Sequence, residues 1–129
     1  MGRKVAAVLA GLLVLGGSVA ALQLASMTLY PPPAGVPLER YVEALPAMAW
    51  VMVLGSEVLG AFLGGLVAGW IARDGVRVVS GVIVGLALAG SIFNWISFPH
   101  PAWFIVTQLV GYPVALVLVW RILRREPTT

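Results

Sequence analysis

Four long stretches almost free of charge constrain this chain more than any other feature. The first runs from Val5 to Leu29 without a charged side chain, the second from about Leu45 to Ala72, the third from about Val76 to Ile96 and the fourth from about Ala102 to Leu123. A helix rising 1.5 Å per residue needs roughly 20 apolar residues to cross a hydrocarbon layer of about 30 Å. Lipid offers no partner to a free backbone amide, so each such stretch is expected to be a helix. The expected fold is all-α: an integral membrane four-helix bundle forming one transmembrane domain over 1–129, with an outer loop at 30–44.

Composition agrees with that reading. Charged residues make up 10% of the 129 and hydrophobic residues 60%, against about 25% charged in soluble domains. An ordinary globular domain, a disordered chain and a nucleic-acid module are excluded on this ground, so the lipid bilayer, not nucleic acid, is the expected partner. Cysteine is absent and there is one histidine. Disulfides, thiolate nucleophiles and cysteine metal sites are ruled out, and neither a metal centre nor a bound cofactor is expected.

Each apolar stretch ends on a recognisable break. Tyr30-Pro31-Pro32-Pro33-Ala34-Gly35 stops the first, because consecutive prolines remove donors and favour an extended backbone. Arg73-Asp74-Gly75 forms a polar turn between the second and third, and Phe98-Pro99-His100-Pro101 separates the third from the fourth. With four spans, seven of the eight basic residues (Arg3, Lys4, Arg73, Arg77, Arg121, Arg124 and Arg125) fall on one side, and only Arg40 on the other. The positive-inside rule then places both termini in the cytoplasm and the chain in an inner (cytoplasmic) membrane. Trp70 and Trp120 are expected at the inner interface; Tyr30, Tyr41, Trp50, Trp95 and Trp103 are expected at the outer one.

A second reading of the first stretch is a cleaved signal peptide, with Ser18-Val19-Ala20 as the small-residue cleavage site. The apolar run, however, continues to Leu29, beyond the ~7–15-residue core of a signal, and favours an uncleaved span. Aromatic-Pro-x-Pro-Ala occurs after both the first and third stretches (Tyr30 to Ala34, Phe98 to Ala102). An internal duplication would explain this, but the preference of proline for helix ends explains it more simply. Within the outer loop, Leu38 to Leu45 has the pattern of a short amphipathic segment lying on the membrane surface.

Small residues mark the packing faces. Gly60, Ala61, Gly64, Gly65 and Ala68 recur at three- and four-residue intervals in the second span, a spacing that lets helix backbones approach closely. Gly81 and Gly85 repeat the device in the third. Gly16, Ala20 and Gln23 share one face of the first span, and Gln108, Gly111 and Ala115 one face of the fourth. These faces suit a bundle core or an oligomer interface.

Of the charged residues, only Glu57 falls inside the hydrocarbon, about 12 residues or roughly 18 Å into the second span. An ionisable group at that depth costs about 2.5–3.5 kcal/mol on insertion scales and is a candidate functional group for that reason. Its candidate partners are Gln23, Asn94 and Gln108, with Ser56 on a different helix face. A carboxyl that merely ties two helices together is the equally weighted structural alternative. Pro113, inside the fourth span, is expected to kink it, freeing the carbonyl of Leu109. His100, between Pro99 and Pro101 in the outer turn, reads first as a turn residue. No nucleophile–base pair, phosphate loop or dinucleotide fingerprint is present, so the chain is not expected to be an enzyme.

The order Tyr-Pro-Pro-Pro-x-Gly (Tyr30 to Gly35), Gly-Ala-Phe-x-Gly-Gly (Gly60 to Gly65), Asn94 and Pro-His-Pro-x-Trp-Phe (Pro99 to Phe104) resembles a group of short, uncharacterised bacterial four-span membrane proteins. That resemblance implies a fold and a bacterial inner-membrane home, and carries no activity. Two functions follow as expectations. The favoured one is a non-enzymatic accessory or scaffold subunit acting through helix packing, with itself or another membrane protein as partner. The other is an oligomeric proton-coupled small-solute transporter or channel using Glu57, with Gln23, Asn94 and Gln108 lining an outer vestibule.

Overall fold

A computed structural model describes residues 1–124, so Arg125 lies outside the described residues. Its elements are α1 (Gly2–Leu29), α2 (Leu38–Glu43), α3 (Ala47–Ala72), α4 (Val76–Ser97) and α5 (Ala102–Ile122). Four of them, α1, α3, α4 and α5, are long and apolar enough to cross a membrane. The chain is therefore an all-helical, multi-pass membrane protein in architecture.

Proline sets three helix starts. Pro37, Pro46 and Pro101 stand immediately before α2, α3 and α5. Each lacks an amide that would need a partner, while its carbonyl accepts a first-turn bond from Tyr41, Trp50 and Ile105 respectively. Pro46 accordingly moves the start of α3 from the expected Leu45 to Ala47. The turn between α3 and α4 uses two residues at positive φ, Arg73 at 59° and Gly75 at 73°. Gly75 also accepts the amides of Val78 and Val79 and so opens α4. Replacing it by alanine puts a Cβ into a left-handed backbone, which costs about 1–2 kcal/mol. We expect Gly75→Ala to lower the apparent melting temperature in detergent by several degrees; an unchanged transition would show that the turn relaxes freely.

Helix α3 lies at the centre. It packs against α1, α4 and α5, and α4 touches both α1 and α5. Among the described residues α1 and α5 do not meet. The small residues of α3 divide between two faces. Gly60 and Gly64 face α1: a Cβ at Gly60 would lie 3.2 Å from the Leu15 carbonyl oxygen, and one at Gly64 2.6 Å from that of Gly11. Gly65 and Gly69 face the other way, toward Ser80, Val84 and Val119, and toward Val76 and Leu123. Ala61 and Ala68 are buried beside them, so all five packing residues expected in this span lie in contact surfaces.

On α5 the expected face of Gln108, Gly111 and Ala115 is a contact face, with Gln108 and Ala115 buried and Gly111 against Val58, whereas the faces expected on α1 and α4 differ. The face α1 turns to α3 carries Ala7, Gly11, Leu15 and Ser18, not Gly16, Ala20 and Gln23. Gly16 would meet nothing with an added Cβ. One residue of register rotates a helix face by about 100°, and Gly11 is the residue that the neighbouring glycines obscured. Gly81 and Gly85 do not pack within the monomer: an added Cβ meets nothing within 4 Å at either, so of the two expected uses of their stripe the bundle core is ruled out and the oligomer face is left. Pro113 sits on an exposed side of α5, which continues as helix through it from Ala102 to Ile122.

Six basic residues gather at one end of the bundle. Arg3 donates to the Ile71 carbonyl at 2.7 Å, Lys4 reaches Gly75, and Arg77 stacks over Trp120 at 5.7 Å from the ring centroid. Arg73 lies in the adjoining turn, and Arg121 and Arg124 line a recess with Arg77 and Trp120. The proline-rich loop and the Pro99–Pro101 turn lie at the opposite end.

Candidate functional site

Glu57 stands ten residues past Ala47, about 15 Å along α3, and is buried with 8% of its surface exposed. Two further helices converge on its carboxyl. From α5, the Gln108 amide Nε2 donates to Oε2 of Glu57. From α4, the Ser91 hydroxyl donates to the same oxygen over a long 3.5 Å. Tyr112, one turn below Gln108, shares a 2.5 Å hydrogen bond with Ser91. With the Ser91 proton given to Glu57, Tyr112 must be the donor in that pair. The Gln108 oxygen in turn accepts the Trp95 indole N–H at 2.7 Å. The result is one connected polar chain, Trp95–Gln108–Glu57–Ser91–Tyr112, inside the hydrocarbon-length part of the bundle. No buried polar side-chain atom among the described residues lacks a partner, as an interior without water requires.

This chain engages only one carboxyl oxygen. Oε1 of Glu57 makes no hydrogen bond among the described residues, and Glu57 lines two cavities. One, of about 340 Å³, lies between α1 and α4 and is bordered by Leu15, Val19, Leu86, Ser91, Asn94 and Tyr112. The other, of about 220 Å³, extends from Glu57 toward the proline-rich end. Its walls come from the ends of α1, α3 and α4, and α2 borders it through Leu38, Tyr41 and Val42, with Leu45 from the following link. Glu57 and Asn94 border both. A larger recess of about 470 Å³ between α3 and α5 is apolar and does not reach Glu57.

The candidates read from sequence fall into distinct places. Gln108 contacts Glu57 directly, but it is fully buried (0% exposed) and belongs to the polar chain, not to a vestibule wall. Gln23 and Asn94 do line the vestibule, and neither side chain makes a hydrogen bond among the described residues, so they are not direct partners of Glu57. Ser56 bonds back to the Val53 carbonyl at 2.7 Å and is no partner either. Pro113 is exposed beside the cluster, and none of the cluster's bonds goes to the Leu109 carbonyl. His100 donates its Nδ1–H to the Phe98 carbonyl at 2.8 Å and packs against Trp50 and Phe104, with centroids 5.1 and 5.3 Å away. It also borders the vestibule. Pro99 and Pro101 hold that turn. Trp50, in the first turn of α3, is buried among these rings.

Tyr112 and Ser91 are the members that sequence reasoning did not single out as site residues. Tyr112 follows Gln108 by four and therefore shares its helix face, a signal available in the sequence. Ser91 lies on the stripe of Ala87, Gly90 and Asn94, where nothing distinguishes a hydrogen-bonding hydroxyl from a small packing residue.

Among the described residues no group of three or more His, Asp or Glu side chains is placed to hold a metal ion. No family model, curated protein or solved structure matches the chain.

Proposed function

We propose that this protein is a non-enzymatic, proton-coupled small-solute transporter or channel of a bacterial inner membrane, with Glu57 as its proton- or cation-exchanging group. One observation carries the reading: a mid-span carboxyl has one oxygen held by Gln108 and Ser91 while the carboxyl itself borders cavities on two sides. A carboxyl serving only to join helices has no need of such access. The clustering of six basic residues at one end supports a topology with both termini in the cytoplasm and the vestibule outside. The family resemblance in the proline-rich motifs supports the same setting.

The test is a liposome assay with full-length protein under an imposed pH gradient. Wild type is expected to pass protons, and Glu57→Gln, which keeps the shape and an acceptor for Gln108, to pass them at least tenfold more slowly with unchanged folding. Equal flux in the two proteins, or none in wild type, would sink the proposal.

A second reading, an accessory subunit or homo-oligomer, is favoured by a separate observation. Gly81 and Gly85 present an open stripe on α4 that nothing in the monomer fills, and small residues of this spacing suit a helix from another subunit. Under that reading Gly85→Leu abolishes the oligomer or partner complex seen by cross-linking in membranes and leaves the monomer's melting temperature unchanged.

A further inference from the structure

We infer that the vestibule above Glu57 binds a small organic cation, a quaternary or protonated amine. This rests on reading the Glu57 site as a solute site and names the chemical class it takes. The walls carry three aromatic rings, Tyr41, Trp50 and Phe98, and the His100 imidazole; the floor carries the Glu57 carboxyl. Among the described residues no Lys or Arg borders the cavity. Aromatic faces present negative charge to a cation and bind it best where water is displaced. An anion finds no cationic partner here.

The polar atoms left over fit the same class. The Gln23 and Asn94 side chains make no hydrogen bond among the described residues and line the cavity. Their carbonyl oxygens are free to accept an ammonium N–H or to orient a hydroxyl on the ligand. A hard metal ion is disfavoured by the donor set, because one carboxyl and two amides fall short of the six or more oxygens that calcium takes. Charge at the entrance points the same way. On α2, which lines the cavity through Leu38, Tyr41 and Val42, Glu39 and Glu43 are exposed alongside a single Arg40, so carboxyls outnumber guanidinium groups two to one on that helix. That excess raises the local concentration of cations. The cavity volume of about 220 Å³ lies below the usual ~300–1,000 Å³ of drug-sized sites and limits the ligand to a compact head group.

Titration calorimetry on the purified full-length protein tests this with choline and its uncharged carbon isostere, 3,3-dimethyl-1-butanol. Choline is expected to bind saturably and the isostere at least tenfold more weakly. Trp50→Leu and Glu57→Gln are each expected to weaken choline at least tenfold, while Trp50→Phe stays within about threefold. Equal binding of the isostere, no choline binding, or choline binding indifferent to Trp50→Leu overturns the inference. Should Trp50→Leu fail to fold, the isostere comparison and Glu57→Gln decide it. The two proposals separate cleanly. Glu57-dependent proton flux without choline binding leaves the transport reading standing and removes this one. Charge-selective, Glu57-dependent choline binding without flux does the reverse.

Discussion

Gly64→Val is expected to break the contact between α1 and α3 and to lose most of the folded protein. A Cβ on Gly64 would lie 2.6 Å from the Gly11 carbonyl oxygen and 3.1–3.2 Å from Ile83 and Leu15 side-chain carbons. The nearest of these atoms is backbone, so no rotamer change relieves the clash and the helices must separate. Separation also strips contact from Gly60, Ala68 and Ile83 along the same seam. The clash belongs to the upper end of overpacking, about 3 kcal/mol or more. At roughly 4 °C per kcal/mol that lowers the apparent melting temperature by about 12 °C. Gly11→Val should match it, since the approach is reciprocal, with a Cβ there 2.7 Å from the Gly64 carbonyl oxygen. Gly16→Ala and Gly85→Ala, where an added Cβ meets nothing, should change the transition by no more than about 2 °C, in keeping with ±0.5 kcal/mol for unconstrained sites. Thermal unfolding in detergent, followed by circular dichroism, reads all four. A Gly64→Val protein that melts with wild type would refute the close approach.

Gln108→Leu should give the second largest effect, and its interest lies in coupling. Gln108 is the only residue bonded to both Glu57 and Trp95 among the described residues. Removing it leaves the indole N–H without its partner and the Glu57 Oε2 with only the long Ser91 bond. Single interhelical hydrogen bonds in membranes average about 0.6 kcal/mol and reach about 1.7, so the loss of two predicts about 1–3 kcal/mol. A double-mutant cycle separates this from packing. With Glu57 already leucine, Gln108→Leu should cost about 1 kcal/mol less, because the bond it breaks no longer exists. Strict additivity would show that Gln108 and Glu57 do not interact in the membrane-embedded protein.

The chemistry of the Glu57 region was partly legible in one dimension. A lone carboxyl among apolar residues draws attention because hydrocarbon penalises charge wherever the neighbours lie. Gln108 stands out as a candidate partner for the same reason. The division of labour was hidden, since whether an amide lines a cavity or is sealed in a bonded chain depends on how four helices rotate against one another. That rotation assigned Gln108 to the polar chain, Gln23 and Asn94 to the vestibule, and brought in Tyr112 and Ser91.

What the sequence determined by itself is the class of object: helices wherever roughly twenty apolar residues run together, breaks at the prolines, a polar turn at Arg73 to Gly75, and basic residues destined for one end. These follow from local rules, because backbone amides in hydrocarbon must bond within their own helix and proline ends one regardless of the partner. Tertiary structure alone decided which small residues meet. Gly11 and Gly64 touch while Gly81 and Gly85 face outward, although all four look alike in sequence. Dispersion between helices depends on relative rotation and depth, which one register step of about 100° changes completely. It also decided that the one charge left in the hydrocarbon, Glu57, would border a cavity and not a sealed core.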